Sequence, residues 1–174
     1  MNIEIRKAYP NEAEDITRVK ALTWKTAYTG LISAEMIKNR INHMTERIIK
    51  TENAIKEKNN IYVVLVDNKI VGTLSYGKST NENYPDLGEI YSLYVLEEYH
   101  GLGLGKLLFF KGIESLIEMN YEDMILKVLK GNKTIHFYEK YGGKNVLEIQ
   151  EYFDEILLTE YVMYFKNIKD IIKK

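Results

Sequence analysis

The sequence predicts a single mixed α/β domain, with about seven strands in one central sheet and about four helices. Segments in which apolar residues alternate with polar ones are interspersed with segments of helical spacing. The 174 residues are enough for one domain with a buried core. No linker, repeat or low-complexity tract divides them, so residues 1–174 are expected to form one domain that ends in a basic tail, 166–174.

Each element follows from a local pattern. Residues 2–8 alternate as a strand does, and Asn11 with Glu14 has the spacing of a capping box, which predicts a helix start. Ser33 is the expected N-cap of a second, unbroken amphipathic helix that continues to Lys58. The remaining expected elements are strands 61–66, 70–76 and 88–96, a helix 104–119, a strand 124–129, a short helix 132–141, and strands 146–153 and 155–165. The order is β-α-α-β-β-β-α-β-α-β-β.

Composition excludes several function classes. The net charge is −1, so no overall field attracts nucleic acid or an anionic membrane, and neither is expected as a partner. The chain has no cysteine, which excludes disulfides, thiolate metal sites and a cysteine nucleophile. No His, Asp or Glu spacing suggests a metal. Without an apolar leader or a spanning apolar run, a cytoplasmic protein is expected.

A glycine-rich segment, residues 100–106, joins a predicted strand to a predicted helix and reads His-Gly-Leu-Gly-Leu-Gly-Lys. A helix start has unpaired backbone N–H groups and partial positive charge, and glycines let the chain approach an anion closely. A phosphate or pyrophosphate is therefore the expected guest. A glycine-rich turn that binds no ligand is the alternative.

The glycine spacing excludes two kinds of nucleotide site. A P-loop would need glycine at His100 and a serine or threonine at Leu107. A dinucleotide fingerprint would need glycine at Lys106 or at Leu108.

With its flanking segments, the loop resembles the GNAT superfamily of N-acetyltransferases. The acetyl-CoA signature of that family, Arg/Gln-x-x-Gly-x-Gly/Ala, aligns with residues 100–105. Residues 89–95 look like its fourth strand, and 132–142 resemble its Asn-x-x-Ala-x-x-Phe-Tyr-x-x-x-Gly helix. Two positions depart from the pattern: His100 replaces Arg or Gln, and Gly143 stands where an aromatic residue usually follows. The likeness in element order spans nearly the whole chain.

The resemblance implies a GNAT-like fold and acetyl-CoA as co-substrate. It implies that the fourth strand diverges from the fifth, so that backbone groups there pair with pantetheine, while the loop N–H groups hold the pyrophosphate. The implied cofactor-binding residues are Leu93, Tyr94, Val95, His100, Gly101, Leu102, Gly103, Leu104, Gly105, Lys106, Asn132 and Tyr138.

Two residues are the catalytic candidates. An alkyl amine has a pKa near 10, so acylation at neutral pH needs a proton acceptor and an acid for the leaving thiolate. Tyr138 matches the family tyrosine that protonates the thiolate, and the alternative is a core aromatic beside Phe137. Glu89 is the candidate base, acting directly or through water, and the alternative is a solvated carboxylate at a strand end.

The resemblance also indicates where the acceptor binds: at the first two helices and the connection between the last strands. An aromatic wall beside carboxylates suits a cationic amine. The candidate substrate-binding residues are Trp24, Tyr28, Tyr91 and Tyr152, with acids at Glu89, Glu151 and Asp154. For Trp24 and Tyr28, which share a helix face, the alternative is that they cover the core.

The expected reaction is acetyl transfer from acetyl-CoA to a primary amine of a small molecule or peptide, by direct attack in a ternary complex. The alternatives are a CoA-sensing module without activity and an acyltransferase that uses a longer acyl-CoA. Dimerisation is common in the family, so the resemblance also admits a homodimer.

Overall fold

The computed structural model describes residues 1–153 and 156–173, without the side chains of Arg40 and Ile41. It confirms the predicted α/β class with a mixed sheet of seven strands. The strands are β1 (Ile3–Lys7), β2 (Ile61–Val66), β3 (Lys69–Lys78), β4 (Gly88–Val95), β5 (Met124–Leu129), β6 (Lys144–Phe153) and β7 (Ile156–Phe165). Their order in the sheet is β1-β2-β3-β4-β5-β7-β6.

The helices number five in the described chain, against about four predicted. They are α1 (Ala13–Ala27), α2 (Ala34–Asn42), α3 (Met44–Lys58), α4 (Leu104–Glu118) and α5 (Ile135–Lys140). The predicted second helix is divided at His43, whose ψ of 31° leaves the helical region. The His43 Nδ1 lies 2.8 Å from the Asn39 carbonyl oxygen, which also accepts the His43 backbone N–H. Helix α2 ends before His43, and α3 begins directly after it, at Met44.

The start of α1 also differs in detail from the prediction. A 3-10 turn, Pro10–Glu12, precedes it, and the Glu12 carboxylate accepts the backbone N–H of Tyr9 at 2.8 Å. The same carboxylate pairs with Arg6 at 2.6 Å. The capping interaction is therefore made two residues earlier than the predicted pair, Asn11 and Glu14.

Contacts divide the chain into two compact units. Unit 1 comprises Met1–Ser75 and Ser92–Phe109, and unit 2 comprises Tyr76–Tyr91 and the chain from Phe110 onward. The single domain over residues 1–174 stays a prediction.

Unit 1 is built around β2. Every residue of β2 is buried, and the strand pairs antiparallel with both β1 and β3. The helix α1 contributes Ile16, Val19 and Trp24 to the core. Helical spacing predicts a buried stripe of Ile16, Val19 and Leu22; the first two are buried, but Leu22 is 46% exposed.

Unit 2 contains the rest of the sheet. The strand β5 pairs parallel with β4 through Gly88–Ile90 and antiparallel with β7, which pairs antiparallel with β6. Part of the predicted basic tail is buried here, because Ile168 and Ile171 pack inward and the Ile168 N–H donates to the Glu122 carbonyl.

Gly143, one of the two departures from the family pattern, has a packing explanation in unit 2. A Cβ at this position would lie 2.6 Å from the Phe165 ring and 3.0 Å from the Tyr138 carbonyl oxygen. Phe165 thus fills the space that a side chain at residue 143 would need.

Candidate active site

The glycine loop of unit 1 has the backbone shape that its sequence predicted. Gly101 and Gly103 have φ of +82° and +75°, the left-handed region that side chains other than glycine rarely adopt. Apart from the adjoining residues of the loop, no described atom lies within 4 Å of a Cβ built on either glycine. The Leu107 N–H donates to the Gly103 carbonyl at 3.1 Å, so α4 begins directly after the loop. The N–H groups in the first turn of α4 therefore lie beside the open space around Gly101 and Gly103.

His100, the other departure from the family pattern, makes its hydrogen bonds within the protein. Its Nε2 lies 2.9 Å from the Val95 carbonyl oxygen, and its backbone N–H donates to the Glu97 carbonyl at 2.9 Å. The side chain joins the loop to the end of β4. The backbone N–H that sequence reasoning offered to a phosphate has an internal acceptor instead.

In unit 1, the candidate substrate-binding residues Trp24 and Tyr28 lie beside Tyr94, a candidate cofactor-binding residue. Trp24 is 4% exposed, and its Nε1–H donates to the Tyr94 hydroxyl at 2.9 Å. The Tyr28 ring packs edge-on against Trp24, with centroids 4.7 Å apart. Trp24 thus joins α1 to β4 as a core residue, as one of the two predicted alternatives has it, while Tyr28 is partly exposed.

Glu89 of unit 2 is a buried carboxylate and not a solvated one, with an exposure of 1%. Its Oε2 accepts two hydrogen bonds from Thr80, from the backbone N–H at 2.6 Å and from the hydroxyl at 2.9 Å. These bonds hold the loop after β3 against β4. Sequence reasoning missed Thr80, because its nearness to Glu89 depends on a loop conformation that no motif marks.

Tyr91 lies two residues beyond Glu89, on the same side of β4. Its hydroxyl donates to the Lys78 carbonyl at 2.6 Å. A Cβ at Gly77 would overlap that hydroxyl, so the glycine is required there. Burial raises the pKa of the Tyr91 phenol, and the charge of Glu89 adds to the shift.

Tyr138 and Asn132 lie at α5 in unit 2. Tyr138 is 8% exposed, and its ring meets Phe137 and Phe165 edge-on at 5.2 and 6.5 Å. The Asn132 Oδ1 accepts the Thr134 N–H at 3.0 Å and so shapes the turn into α5. Tyr138 and Asn132 therefore both have structural contacts in unit 2, and both stay candidates for the acetyl-transfer site.

Strand register shows which candidates of unit 2 share a face of the sheet, since directly paired residues and alternate residues along a strand point the same way. Glu89 pairs with Ile125, and Glu160 pairs with Leu129 and Ile149. One face, here called the carboxylate face, therefore carries Glu89, Tyr91, Lys127, Glu151 and Glu160.

The other candidates of unit 2 do not share that face. Tyr138 packs on Phe165, which pairs with Met124 and so projects from the opposite face. Tyr152, 73% exposed, pairs with Leu157 and also projects from the opposite face. Asp154 lies outside the described residues.

Glu160 is a functional candidate that sequence reasoning missed. It is 8% exposed, and burial raises its pKa to about 7; Lys127 opposes the shift, while Glu151 and Glu89 add to it. The sequence did contain an indication: Glu160 alternates with Val162 and Tyr164, so all three lie on the same face of a mostly apolar strand.

Residues 1–153 and 156–173 show neither a metal-binding cluster nor a membrane-spanning helix. No group of three His, Asp or Glu side chains there is placed to hold a metal ion. Within the same ranges, no helix has the length and apolar character needed to cross a bilayer.

Comparison with known proteins identifies the family. Residues 22–143 match the family model described as the acetyltransferase (GNAT) family. The chain belongs to this family. It is a GNAT acyltransferase, as the loop and the α5 motif predicted.

Curated relatives of this GNAT protein are named as N-acetyltransferases. It is 28% identical over 148 residues to the N-acetyltransferase YuaI of Bacillus subtilis, covering 84% of this chain and 83% of the relative. It is 32% identical over 101 residues to an N-alpha-acetyltransferase of Sulfurisphaera tokodaii, covering 53% of this chain and 60% of that relative.

Solved structures share the GNAT fold. PaiA N-acetyltransferase of Thermoplasma acidophilum, in complex with coenzyme A, superposes with a TM-score of 0.75 at 22% identity, covering 95% of this chain and 99% of that one. The yncA acetyltransferase of Salmonella typhimurium, with acetyl-CoA, gives a TM-score of 0.68 at 18% identity, covering 94% and 93%.

Proposed function

We propose that this GNAT protein transfers the acetyl group of acetyl-CoA to a primary amine of a small molecule or peptide, by direct attack in a ternary complex. The observation that carries the proposal is the glycine loop, with two left-handed glycines and open space directly before α4. The solved relatives with coenzyme A and acetyl-CoA support the choice of donor.

The proposed donor site uses backbone groups. N–H groups of residues 101–106 would hold the pyrophosphate, with partial positive charge from the start of α4. The β4–β5 ladder ends at Ile90↔Leu126, which supports pantetheine pairing by residues 93–95 further along β4. His100 would shape the loop through Val95, and Asn132 would reach toward the pantetheine arm.

The proposed chemistry moves two protons. Glu89 would accept one from the acceptor ammonium; because it is buried and held by Thr80, we assign it the route through water. The amine nitrogen then bonds to the thioester carbon and the C–S bond breaks. Tyr138 would protonate the thiolate and recover a proton from the new amide nitrogen.

The proposed acceptor-binding side chains are Trp24, Tyr28, Tyr91 and Tyr152. Trp24 would act as the buried support for Tyr28, whose ring is the more accessible of the two. We also propose a cytoplasmic protein without nucleic-acid or membrane partners, in keeping with the net charge of −1, and a homodimer as one assembly to test by sedimentation.

Calorimetry with coenzyme A tests the donor site, using Gly103→Ala and Gly30→Ala as a matched pair. Both glycines have positive φ and open space for a Cβ, so both variants should lose about 1–2 kcal/mol of stability, the cost of a left-handed residue with a side chain. Gly103→Ala should weaken coenzyme A binding roughly tenfold, since the loop can no longer approach the anion closely. Equal binding by both variants would contradict the proposed site.

A thiol-release assay with acetyl-CoA tests the reaction, run against alkylamines, polyamines, aminoglycosides, amino acids and peptides with free N-termini. Release with at least one amine is expected. Coenzyme A binding without thiol release from acetyl-CoA across the whole panel would support the sensing module instead. Thiol release only from a longer acyl-CoA would show that the donor carries a longer acyl group than acetyl.

A further inference from the structure

Helices α1 and α3 of unit 1 border a cleft of about 150 Å³, here called the α1–α3 cleft. Each helix lines it with residues spaced i, i+3 and i+4, which lie on one face of a helix. The lining residues are Thr17, Lys20, Ala21, Arg47, Lys50 and Thr51. Since a water molecule takes about 30 Å³ of liquid volume, the cleft has room for a small ion with four oxygen atoms.

The α1–α3 cleft is cationic. Its charged lining residues are Lys20, Arg47 and Lys50, and no Asp or Glu from the described part of the chain lines it. Glu46, one turn before Lys50 on α3, is exposed and lies outside the lining. Three like charges around one cleft repel each other, and an anion between them relieves that repulsion.

Lys50 has its charge available for a ligand. The side chain is exposed, and it makes no hydrogen bond or ion pair with any residue that the structure describes. Arg47, three residues earlier on α3, is half-buried at the same cleft. The lysine ammonium and the arginine guanidinium are the two cationic groups that proteins use most to bind phosphate.

The buried side of the cleft has a hydroxyl group with a proton to donate. Thr17 and Thr51 are 3% and 7% exposed, and their Oγ1 atoms lie 3.3 Å apart. The Thr17 hydroxyl donates its one proton to the Ala13 carbonyl at 2.7 Å. Thr51 has no partner other than Thr17 among the described residues, so its hydroxyl proton is available to an acceptor in the cleft.

A phosphate group matches this set of donors. Near neutral pH it carries a charge of about −1.5 to −2, which offsets most of the charge of two lining cations. Its oxygens accept strong charge-assisted hydrogen bonds, and their tetrahedral arrangement meets donors from two helices at once. A carboxylate has one charge and two oxygens, so it matches fewer of the donors.

We propose that the α1–α3 cleft binds a phosphate group, with Lys50 and Thr51 as direct donors and Lys20 and Arg47 as further positive charge. The acetyl transfer proposed above does not use these residues. A bound phosphate group joins α1 to α3. The next turn of α1 carries Trp24, so occupancy also stabilises that part of unit 1.

Thermal unfolding with inorganic phosphate tests the site in the full chain. Sodium phosphate at about 20 mM should raise the Tm by roughly 4 °C above the value in sodium chloride of equal ionic strength, the shift expected for a Kd near 1 mM. Glycerol 3-phosphate is the second probe. A shift with both ligands assigns the site to phosphate groups in general, and a shift with inorganic phosphate alone limits it to the free ion.

Lys50→Gln and Thr51→Val are the informative variants. Each removes one donor, so phosphate should bind roughly tenfold more weakly and the Tm shift should fall to less than half. Thr51→Ser keeps the hydroxyl and should keep the shift, which separates loss of the donor from altered packing. Lys58→Gln is the charge-matched control: Lys58 is exposed on α3, about 12 Å along the helix from Lys50, and its variant should behave as the wild type.

Three results would overturn the inference. The first is a wild-type Tm that rises no more in phosphate than in sodium chloride, which needs no variant. The second is a full shift in both Lys50→Gln and Thr51→Val. The third is a shift that Gly103→Ala loses and Lys50→Gln keeps, because the ion would then bind at the glycine loop. Thiol release enters none of these measurements, so the proposed acetyl transfer stands or fails separately.

Discussion

At the scale of single residues, three carboxyl and phenol groups of unit 2 are buried to nearly the same degree and yet differ in their surroundings. Glu89 has two donors from Thr80, Glu160 lies beside the Glu151 carboxyl group, and Tyr138 is packed among aromatic rings. Their neighbours, more than their burial, therefore decide which chemistry each can support.

Tyr138→Phe removes the proposed acid and keeps the ring. If Tyr138 protonates the thiolate, kcat should fall roughly 10²-fold or more, because general acid catalysis contributes on that order. Tyr141→Phe is the control: its ring packs against Phe137 and Phe110 at the end of the same helix. Steady-state thiol release measures both, and full turnover by Tyr138→Phe would remove the residue from the mechanism.

Glu89→Gln tests the proposed base through the pH dependence of kcat/KM. The variant should be slower by roughly 10²-fold, and its rate should continue to rise with pH toward the pKa of the free amine. An amide can still accept from Thr80, so a purely structural role for Glu89 would leave the shape of the profile unchanged. That outcome would exclude the base role.

Glu160→Gln should change the pH dependence of stability. The pKa of Glu160 is raised from the ordinary value of about 4.3 to about 7, so its proton stabilises the folded state at low pH. That contribution is complete below the unfolded pKa and is lost as the pH rises through 7.

Between pH 5 and pH 8 the wild type should therefore lose roughly 2–3 kcal/mol relative to Glu160→Gln. Urea unfolding at both pH values measures the difference, with Glu148→Gln as the surface control. Parallel pH profiles for the wild type and Glu160→Gln would show that the carboxyl titrates at an ordinary pKa.

At the scale of elements, Gly143 and Phe165 form a pair that fixes α5 against β7. Gly143→Ala should cost about 1–3 kcal/mol, since its Cβ would overlap the Phe165 ring. Phe165→Leu should relieve that overlap, so the double variant should be more stable than the sum of the single effects predicts. A double-mutant cycle in urea measures the coupling, and strict additivity would contradict the contact.

Sequence patterns were sufficient for elements with a strong period. All seven strands and the α4 and α5 helices were predicted from runs of strand-forming residues, apolar spacing and turn residues, and the loop 100–106 from glycine placement. The break at His43 was missed, because the helical spacing of apolar residues continues through it and no glycine or proline marks it. The surroundings of Glu89 were missed because they depend on the conformation of the loop that carries Thr80. Those of Glu160 were missed because they depend on the register of β5, β6 and β7.

At the scale of the whole molecule, binding of coenzyme A should stabilise the fold. A ligand at about 100 times its Kd adds roughly 2.7 kcal/mol if it binds the folded state alone. For a chain of 174 residues this corresponds to a rise in Tm of several degrees. Coenzyme A should raise the Tm and ATP should not, because the glycine spacing fits neither nucleotide pattern; an equal shift with ATP would contradict the loop assignment.

The strand β2 has a consequence for exchange of its backbone hydrogens with solvent. All of its residues are buried and it is hydrogen-bonded on both sides, so amides such as those of Val63 and Val64 can reach deuterium only when the fold opens globally. Their exchange rate reports the full free energy of unfolding. Amides of the glycine loop should exchange through local opening, so one deuterium experiment would separate ligand effects on the loop from effects on the whole fold.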